Sequence, residues 1–484
     1  MPEKDKKNFY LTTTLPYVNA SPHLGHALEF VRADIIARYK KLLGFDVFFN
    51  TGTDEHGLKV YKKALEEKKD LEEYTDEYAV KFKDFTKKLG MSPDLNFIRT
   101  TDPHHIKSAQ EFWKVCEESG DIYKKNYKIK YCIGCELEKT DSELVDGKCP
   151  LHLNLEIEII DEENYFFRFS KYQKPLLEFY EKNPKFVIPD FRFNEIKKFV
   201  ERGLEDFSIS RLKEKMPWGV VVPNDPDHVM YVWFDALVNY ISAIGWPEDM
   251  EKFEKWWPVT QYAGKDNLRQ QSAMWQAMLM SAGIEPSKQI IINGFILGEG
   301  GVKMSKSLGN TIDPLQIIDE YGTDALRFYL ARHVHSFEDS EFSVEKFKTA
   351  YNADLANGLG NLVSRILKMS ETHLHDTNIR MESNDTNEFP EEYKKAFDEF
   401  NIQKVGDIVW RKIGELDSKI QETEPFKLVK TDSEKAKEII KELIQDLYTI
   451  ARMLNPIMSE ISDKIKKSVK ENKMPEKPLF PRKD

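Results

Sequence analysis

The sequence predicts an α/β protein: a split, doubly wound parallel sheet carrying a zinc-knuckle insertion, followed by a C-terminal α-helical bundle. Three observations lead there. Strand, helix and strand patterns succeed one another near the N-terminus, the order of a βαβ unit, which implies parallel pairing. Three of the four cysteines crowd into one short segment with a histidine. Beyond about residue 350, apolar residues recur at helical spacing, as in a bundle.

The elements follow in order. "NFYLTTTLPYVN" is a short β-prone run ending in turn residues. "HALEFVRADIIARYKKLLG" then sets Leu28, Val31, Ile35, Tyr39 and Leu42 at helical spacing, with Gly44 as the C-terminal stop. "FDVFFNTGTDEHG" returns to a strand and ends in a glycine-bearing loop. Further on, "HVMYVWFDAL", "TQYAGKD" and "KQIIINGF" are strand candidates, separated by helical segments such as "NLRQQSAMWQAMLMSAG". A Rossmann-type domain is therefore expected in two halves, residues 1–116 and 229–325, around an insertion at 117–228. A linker at 326–350 leads to a helical domain at 351–484, carried by "NADLANGLGNLVSRILKMSETH", "EEYKKAFDEFNIQKVGDIVWRKIGELDSKIQ" and "KAKEIIKELIQDLYTIARMLNPIM". Residues 376–390 read as a polar surface loop, and no internal repeat is visible.

At 484 residues the chain has room for roughly three domains. Apolar residues at 40% and aromatics at 12% indicate a globular protein. No apolar run approaches the roughly 18 residues of a membrane span, and "MPEKDKKNFYLTTT" lacks the apolar core of a secretory signal. A cytoplasmic protein with no membrane partner is expected. The net charge of −11 argues against indiscriminate coating of nucleic acid. A local basic run remains: Lys464, Lys466, Lys467, Lys470, Lys473, Lys477, Arg482 and Lys483 face three acids over residues 464–484, which reads as a solvated tail.

Two segments carry phosphate chemistry. "LPYVNASPHLGHALEF" puts His23 and His26 where the first strand passes into its helix. In an open parallel sheet, ligands bind beyond the carboxyl ends of strands, where a helix N-terminus favours phosphate. Two imidazoles there can donate hydrogen bonds to a phosphate that gains charge, and Gly25 lets a nucleotide approach the backbone; a pair of helix-capping histidines is the bland alternative. "GEGGVKMSKSLGN", residues 298–310, sets Lys303 and Lys306 on a glycine-rich loop. It lacks the G-x-x-x-x-G-K-[ST] pattern, so it is no Walker loop; its two ammonium groups suit either polyphosphate or plain solvent.

The cysteine segment, "YCIGCELEKTDSELVDGKCPLH", has the spacing C-x2-C-x13-C-x2-H. Cys132, Cys135, Cys149 and His152 can close a tetrahedral site around structural Zn2+, with Gly134 and Gly147 easing the turns. Reduced, buried cysteines are the alternative. Cys116 reads as an ordinary helix cysteine.

"HLGH" and "KMSKS", in that order, form the paired signature of class I aminoacyl-tRNA synthetases. With "TTTLPYVNASPHLGH", "NTGTDEHG", "YVWFDALVNY" and "VKMSKSLGNTIDP", the chain resembles the methionyl enzymes of that class from about residue 9 to about residue 455. The resemblance implies a methionine–tRNA ligase. ATP, with Mg2+ as part of the substrate, and methionine give methionyl-adenylate and pyrophosphate, and methionyl passes to the 3′-terminal ribose of tRNA(Met). That chemistry needs no covalent enzyme intermediate, so catalysis is positioning plus charge stabilisation. The resemblance assigns ATP to His23, Gly25, His26, Gly294, Lys303 and Lys306, with the two histidines and two lysines catalytic and the lysine loop closing over the triphosphate. It assigns methionine to Leu15, Tyr17, Asp54, Trp233, Ala236, Leu237, Tyr240, Gln271 and Trp275, with Asp54 on the ammonium. Aromatic walls suit a polarizable thioether. Methionyl enzymes also carry a comparable zinc knuckle, and their anticodon positions fall on Asn361 and Arg365, four apart on one helix face, and Phe426.

Three positions depart from the family pattern. Gln271 stands where many members have histidine, Asn293-Gly294 where many read His-Gly, and Phe426 where tryptophan is usual. Glutamine keeps hydrogen bonding but not charge, and phenylalanine keeps a stacking ring but loses the indole N–H. Other readings are a leucyl-, isoleucyl-, valyl- or cysteinyl-type ligase, a nucleotidylyltransferase, or a non-catalytic tRNA-binding paralogue. The first three ligases need a far longer editing insertion than residues 117–228, a nucleotidylyltransferase needs neither knuckle nor bundle, and the intact histidines and lysines oppose the paralogue. A monomer is expected, because the appended module that dimerises some relatives does not follow the bundle.

Overall fold

A computed structural model describes residues 7–135, 137–139, 141–302, 304, 311–374, 386 and 389–483. Lys303, Lys306 and most of the 376–390 segment lie outside the described residues.

Among the described residues the strands are β1 (Asn8–Thr13), β2 (Asp46–Thr53), β3 (Asn96–Arg99), β4 (Ile122–Cys132), β5 (Leu137–Lys139), β6 (Glu158–Phe167), β7 (Val187–Ile188), β8 (Phe207–Ser208), β9 (Ser210–Leu212), β10 (Val221–Val222), β11 (Asp225–Met230), β12 (Thr260–Gly264), β13 (Gln289–Asn293), and a separate parallel pair, β14 (Ile296–Leu297) and β15 (Ser340–Glu341). Six form the central sheet, in the order β3-β2-β1-β12-β13-β7, with parallel pairing throughout. The chain winds outward from β1 through β2 to β3, then returns to β12 and winds the other way. The switch point lies between β1 and β12, and ligand crevices form at such points, beyond the carboxyl ends of the strands.

Alternation along the strands feeds two cores. Leu11, Tyr262 and Ile291 face a cluster that includes Val31 and Ile35 of helix α1 (Leu24–Leu42) and runs on into the C-terminal helices. Tyr10, Ala263, Ile290 and Ile292 face a second cluster with Trp113, Phe234 and Trp275. Helix α1 forms as its pattern predicts: His23 caps its start, and Gly44 adopts φ 85 just beyond its end.

Two expectations change in detail. "HVMYVWFDAL" is not a strand of the parallel sheet. Its strand, β11, ends at Met230 and pairs antiparallel with β9 and β10, and Val232–Ala236 is helical. Val232, Phe234, Asp235 and Ala236 are buried all round, so the run has no periodicity to separate strand from helix. The insertion is also less separate than expected. Its β4, β5, β6 and β8 form an antiparallel sheet, but β7 from within it completes the central sheet beside β13.

The basic run after residue 464 is not a solvated tail. Residues Ser459–Glu471 form a helix with Ile465 and Val469 buried, and Phe480 packs edge-on to Tyr351 at 6.1 Å. Its charges are partly matched, Lys464 by Glu460 at 2.6 Å and Lys466 by Asp463 at 2.7 Å. The sequence shows the lysines and hides the buried stripe between them.

Two buried arginines tie helix α1 to the C-terminal part of the chain. Arg32 donates to the carbonyls of Leu330, Val334, His335 and Ser336. Arg327 meets Asp34 at 2.7 Å and also donates to Pro456 O and Ile457 O. Burial alone would raise the Asp34 carboxyl, but Arg327 and Arg38 hold it below its usual range. The expected boundaries at 325/326 and 350/351 fall inside continuous helical structure, Thr323–Arg332 and Val344–His373.

Candidate active site and metal centre

At the switch point, β1 delivers the chain into α1. His23 is the N-cap: its Nδ1 accepts from Gly25 N at 3.1 Å, while His26 Nδ1 accepts from His23 N at 3.2 Å. The rings stack with centroids 3.7 Å apart. With both Nδ1 atoms accepting, each neutral ring carries its proton on Nε2, as a donor. Burial first, and the nearby His23 second, hold His26 well below the usual imidazole range, so it is neutral near pH 7. The capping and phosphate-binding readings are therefore not rivals, because the cap sets the tautomer that a phosphate needs. Gly25 has a local reason: a Cβ there would lie 3.0 Å from His23 Cε1.

Glu29, one turn further along α1, went unnoticed in the sequence. It accepts from Thr14 N at 2.7 Å and Thr14 Oγ1 at 2.6 Å, at the end of β1. Burial, aided by Asp266 and opposed by those hydrogen bonds, pushes its carboxyl up to about 7. Spacing was the available signal, since His23, His26 and Glu29 recur every third residue on one helix face.

Across the crevice, Gly294 follows β13. A Cβ on it would lie 2.2 Å from the Glu338 backbone, so glycine lets the 338–339 segment cross. Phe295 N and Lys265 Nζ both hold Asp339, at 3.0 and 2.7 Å.

The residues expected around an apolar pocket split into two groups that meet. Asp54 N donates to Pro16 O at 2.9 Å and Val18 N to Asp54 O at 3.2 Å, so the Leu15–Tyr17 segment lies beside Asp54, with Tyr17 and Asp54 in a parallel bridge. Tyr17 meets Trp233 edge to face at 6.5 Å. Ala236, Leu237 and Tyr240 follow Trp233 in one buried helical stretch, and Tyr240 meets fully buried Trp275 at 6.0 Å. Gln271 donates through Nε2 to the Tyr240 hydroxyl at 2.9 Å and accepts from Gln261 Nε2 at 2.7 Å. Asp235, in the Trp233 helix, is gripped by His56 at 2.7 Å and His105 at 3.0 Å. Burial would raise that carboxyl, but the two histidines bring it down to about 2. This buried link ties the pocket helix to the β2 exit loop. A lone aspartate in an apolar run was its only trace in the sequence.

The candidate metal site is compact. The ligand atoms of Cys132, Cys135, Cys149 and His152 all lie within 4.8 Å of one another. His152 Nδ1 lies 3.8 Å from Cys132 Sγ, 3.3 Å from Cys135 Sγ and 3.9 Å from Cys149 Sγ, and the Cys135 and Cys149 sulfurs are 3.4 Å apart. Four ligands at zinc bond lengths stand about 3.5–3.8 Å from one another, so the donor set fits that ion. Gly147 takes φ 76 in a turn, as expected. Gly134 serves differently, because a Cβ there would lie 2.4 Å from the His152 ring.

In the helical region Asn361 is exposed, and Arg365 pairs through Nη1 with Asp417 of the helix Ile402–Thr423, a partner the sequence did not suggest. Phe426 is 45% exposed, so it is not a bundle-core residue. Cys116 is a buried helix cysteine whose thiol burial pushes up to about 12. Among the described residues no helix is long and apolar enough to cross a membrane.

Comparison with known proteins sharpens this picture. The family model "tRNA synthetases class I (M)" matches residues 9–157 and 153–367. The methionine–tRNA ligase of Thermotoga maritima is 41% identical over 97% of this chain and 76% of its own length. That of Thermosynechococcus vestitus is 46% identical over 75% and 69%. Among solved structures, Mycobacterium tuberculosis methionyl-tRNA synthetase in complex with methionyl-adenylate superposes with a TM-score of 0.89 at 35% identity, covering 98% of this chain and 100% of that one. Its apo form gives 0.82 at 32% identity, covering 99% of each chain.

Proposed function

The chain belongs to the methionine–tRNA ligase family of class I tRNA synthetases, and from that premise we propose how its residues divide the reaction. The activity is ATP-dependent ligation of methionine to tRNA by way of methionyl-adenylate. The observation that carries the site reading is the pair of stacked imidazoles at the α1 N-terminus, each with its proton on Nε2, beside the switch point.

The methionine carboxylate attacks the α-phosphate of ATP, and pyrophosphate leaves. His23 and His26 donate from Nε2 to phosphate oxygens as charge builds, in a site where preorganised donors need no rearrangement. Lys303 and Lys306 meet the departing phosphates, and Gly25 and Gly294 keep the nucleotide path open. Asp54 holds the substrate ammonium; Leu15, Tyr17, Trp233, Ala236, Leu237, Tyr240, Gln271 and Trp275 enclose its side chain. Mg2+ arrives with ATP.

Zn2+ is the ion that Cys132, Cys135, Cys149 and His152 would hold, and it would fix the knuckle's fold and take no part in the chemistry. Asn361 and Arg365 offer donors to tRNA(Met) anticodon bases, and the exposed Phe426 ring offers a stacking surface. The work divides between a split Rossmann-type catalytic unit with its knuckle insertion and an anticodon-binding helical region from about residue 351, in a cytoplasmic monomer.

The test is pyrophosphate exchange into ATP, run with each proteinogenic amino acid in turn. Methionine alone should support it. Exchange driven equally by leucine, isoleucine or cysteine overturns the reading.

A further inference from the structure

The knuckle and the amino-acid pocket touch. Cys132, the first of the four candidate ligands, ends β4, and its neighbours Tyr131 and Ile133 pack with Tyr17, Tyr231, Val232 and Trp233. One side of the metal site is therefore continuous with the pocket wall. A polar strut crosses the same boundary. Lys59 lies in the first turn of the helix Leu58–Glu66, which follows the loop bearing Asp54. Its Nζ donates to Gly134 O at 2.9 Å and stands 5.5 Å from the centre of the Tyr17 ring. An ammonium is attracted to an aromatic face, and its hydrogen bonds are stronger than those between neutral groups. Lys59 is half-buried and turned inward by these contacts, unlike a solvated surface lysine.

Gly134 is held from the metal side as firmly as Lys59 holds it from the other. It sits between Cys132 and Cys135, and Cys135 N donates to Cys132 Sγ at 3.4 Å. A Cβ on it would lie 2.4 Å from the His152 ring. Three of the four candidate ligands thus surround this one peptide. An ion that gathers them would also fix the Gly134 carbonyl, and without it the three ligands lose their common anchor. On the far side of Lys59, the Tyr17 ring meets Trp233 edge to face at 6.5 Å, and both belong to the pocket. The order of contacts is ligands, Gly134 carbonyl, Lys59, Tyr17.

We propose that Lys59 is a positioning residue for amino-acid binding: bonded to the Gly134 carbonyl, whose place the metal site sets, it holds the Tyr17 ring in register with the knuckle. The state of the knuckle is thereby felt as affinity for methionine, while the phosphate chemistry at His23 and His26 is untouched. The inference rests on reading this pocket as the methionine site.

The experiment compares the zinc-loaded unmodified chain with Lys59→Met and Lys59→Arg. Methionine binding is read at equilibrium from tryptophan fluorescence, and pyrophosphate exchange gives kcat and KM. Lys59→Met keeps the bulk of the stem and removes the donor. It should weaken methionine binding and raise KM for methionine roughly tenfold, the worth of one charge-assisted hydrogen bond, with kcat and KM for ATP within about twofold. Zinc content should not change. Lys59→Arg keeps a charged donor and should recover most of the affinity. Stripping the ion with a chelator should weaken methionine binding in the unmodified chain, and weaken it distinctly less in Lys59→Met, where the strut is already gone. Unchanged methionine affinity or lost zinc in Lys59→Met, a matching fall in kcat, or chelation losses that multiply in full across the two changes overturns the proposal. Absence of methionine-dependent exchange in the unmodified chain would instead overturn the reading of the pocket, and this inference with it.

Discussion

The knuckle and the sheet-end site are each built to hold charge, and they are built in opposite ways. The knuckle draws its four ligands from one short run, Cys132 to His152, and has little core beneath it: Leu151, Leu153 and Ile159 are 70%, 57% and 54% exposed. The sheet-end site draws on residues from Leu15 to Trp275 and rests on two cores, one on each face of the sheet. Small modules without a core depend on a metal for their fold. A site standing on a packed sheet can lose a functional side chain and stay folded. Damage to the first region should therefore appear as lost structure, and damage to the second as lost chemistry.

The largest effect expected from this contrast is at His26. His26→Ala removes one Nε2 donor and the cap bond to His23 N. Adenylate formation should fall roughly 10²- to 10³-fold, the scale of a lost oxyanion donor. Zinc content and the unfolding midpoint should stay close to those of the unmodified protein. A collapse of the midpoint together with the rate would mean that His26 is structural, and the contrast would break.

Next in size is Gly134→Ala. The added Cβ would lie 2.4 Å from the His152 ring, against a ligand and not a flexible tip. Zinc affinity, read by competition with a chelator, should fall roughly 10- to 100-fold, as when a metal site's support is disturbed. Methionine-dependent exchange should fall less than in His26→Ala. Unaltered zinc affinity would show that the knuckle can shift to accept the methyl group.

The same contrast explains what could be read from the sequence. The knuckle was legible because its ligands are close in the chain and chemically distinctive. The halves of the sheet were legible because strand and helix periods differ. "HVMYVWFDAL" misled because burial on all sides erases periodicity, and the basic C-terminal run misled because charge hid a buried stripe. Gln261, Glu29 and the His56–Asp235–His105 link stayed hidden for another reason. Each acquires meaning only through a partner distant in the chain, such as Gln271, Thr14 or Asp235, and spacing alone does not name that partner.

The effect that best separates the two regions concerns Glu29. Burial, with Asp266 nearby, raises its carboxyl from an ordinary 4.5 to about 7, against the pull of the Thr14 hydrogen bonds. Below pH 4.5 the folded and unfolded chains both hold the proton; above about 7 neither does. Between those limits only the folded chain holds it, so stability declines as pH rises through the window and levels off above about 7. Glu29→Gln mimics the protonated carboxyl and should abolish that decline. The ligand-free variant should match the unmodified protein near pH 4.5 and unfold at a higher temperature above about pH 7. A series of thermal melts across that window is the measurement, and coincident profiles would dismiss the idea. If the divergence appears, the sheet-end site carries a carboxylate that weakens the fold at working pH. The knuckle's ligands, once they hold their ion, can only strengthen it. A group kept at a cost to stability is a group kept for binding or chemistry, so the sign of this pH effect distinguishes a functional site from a structural one.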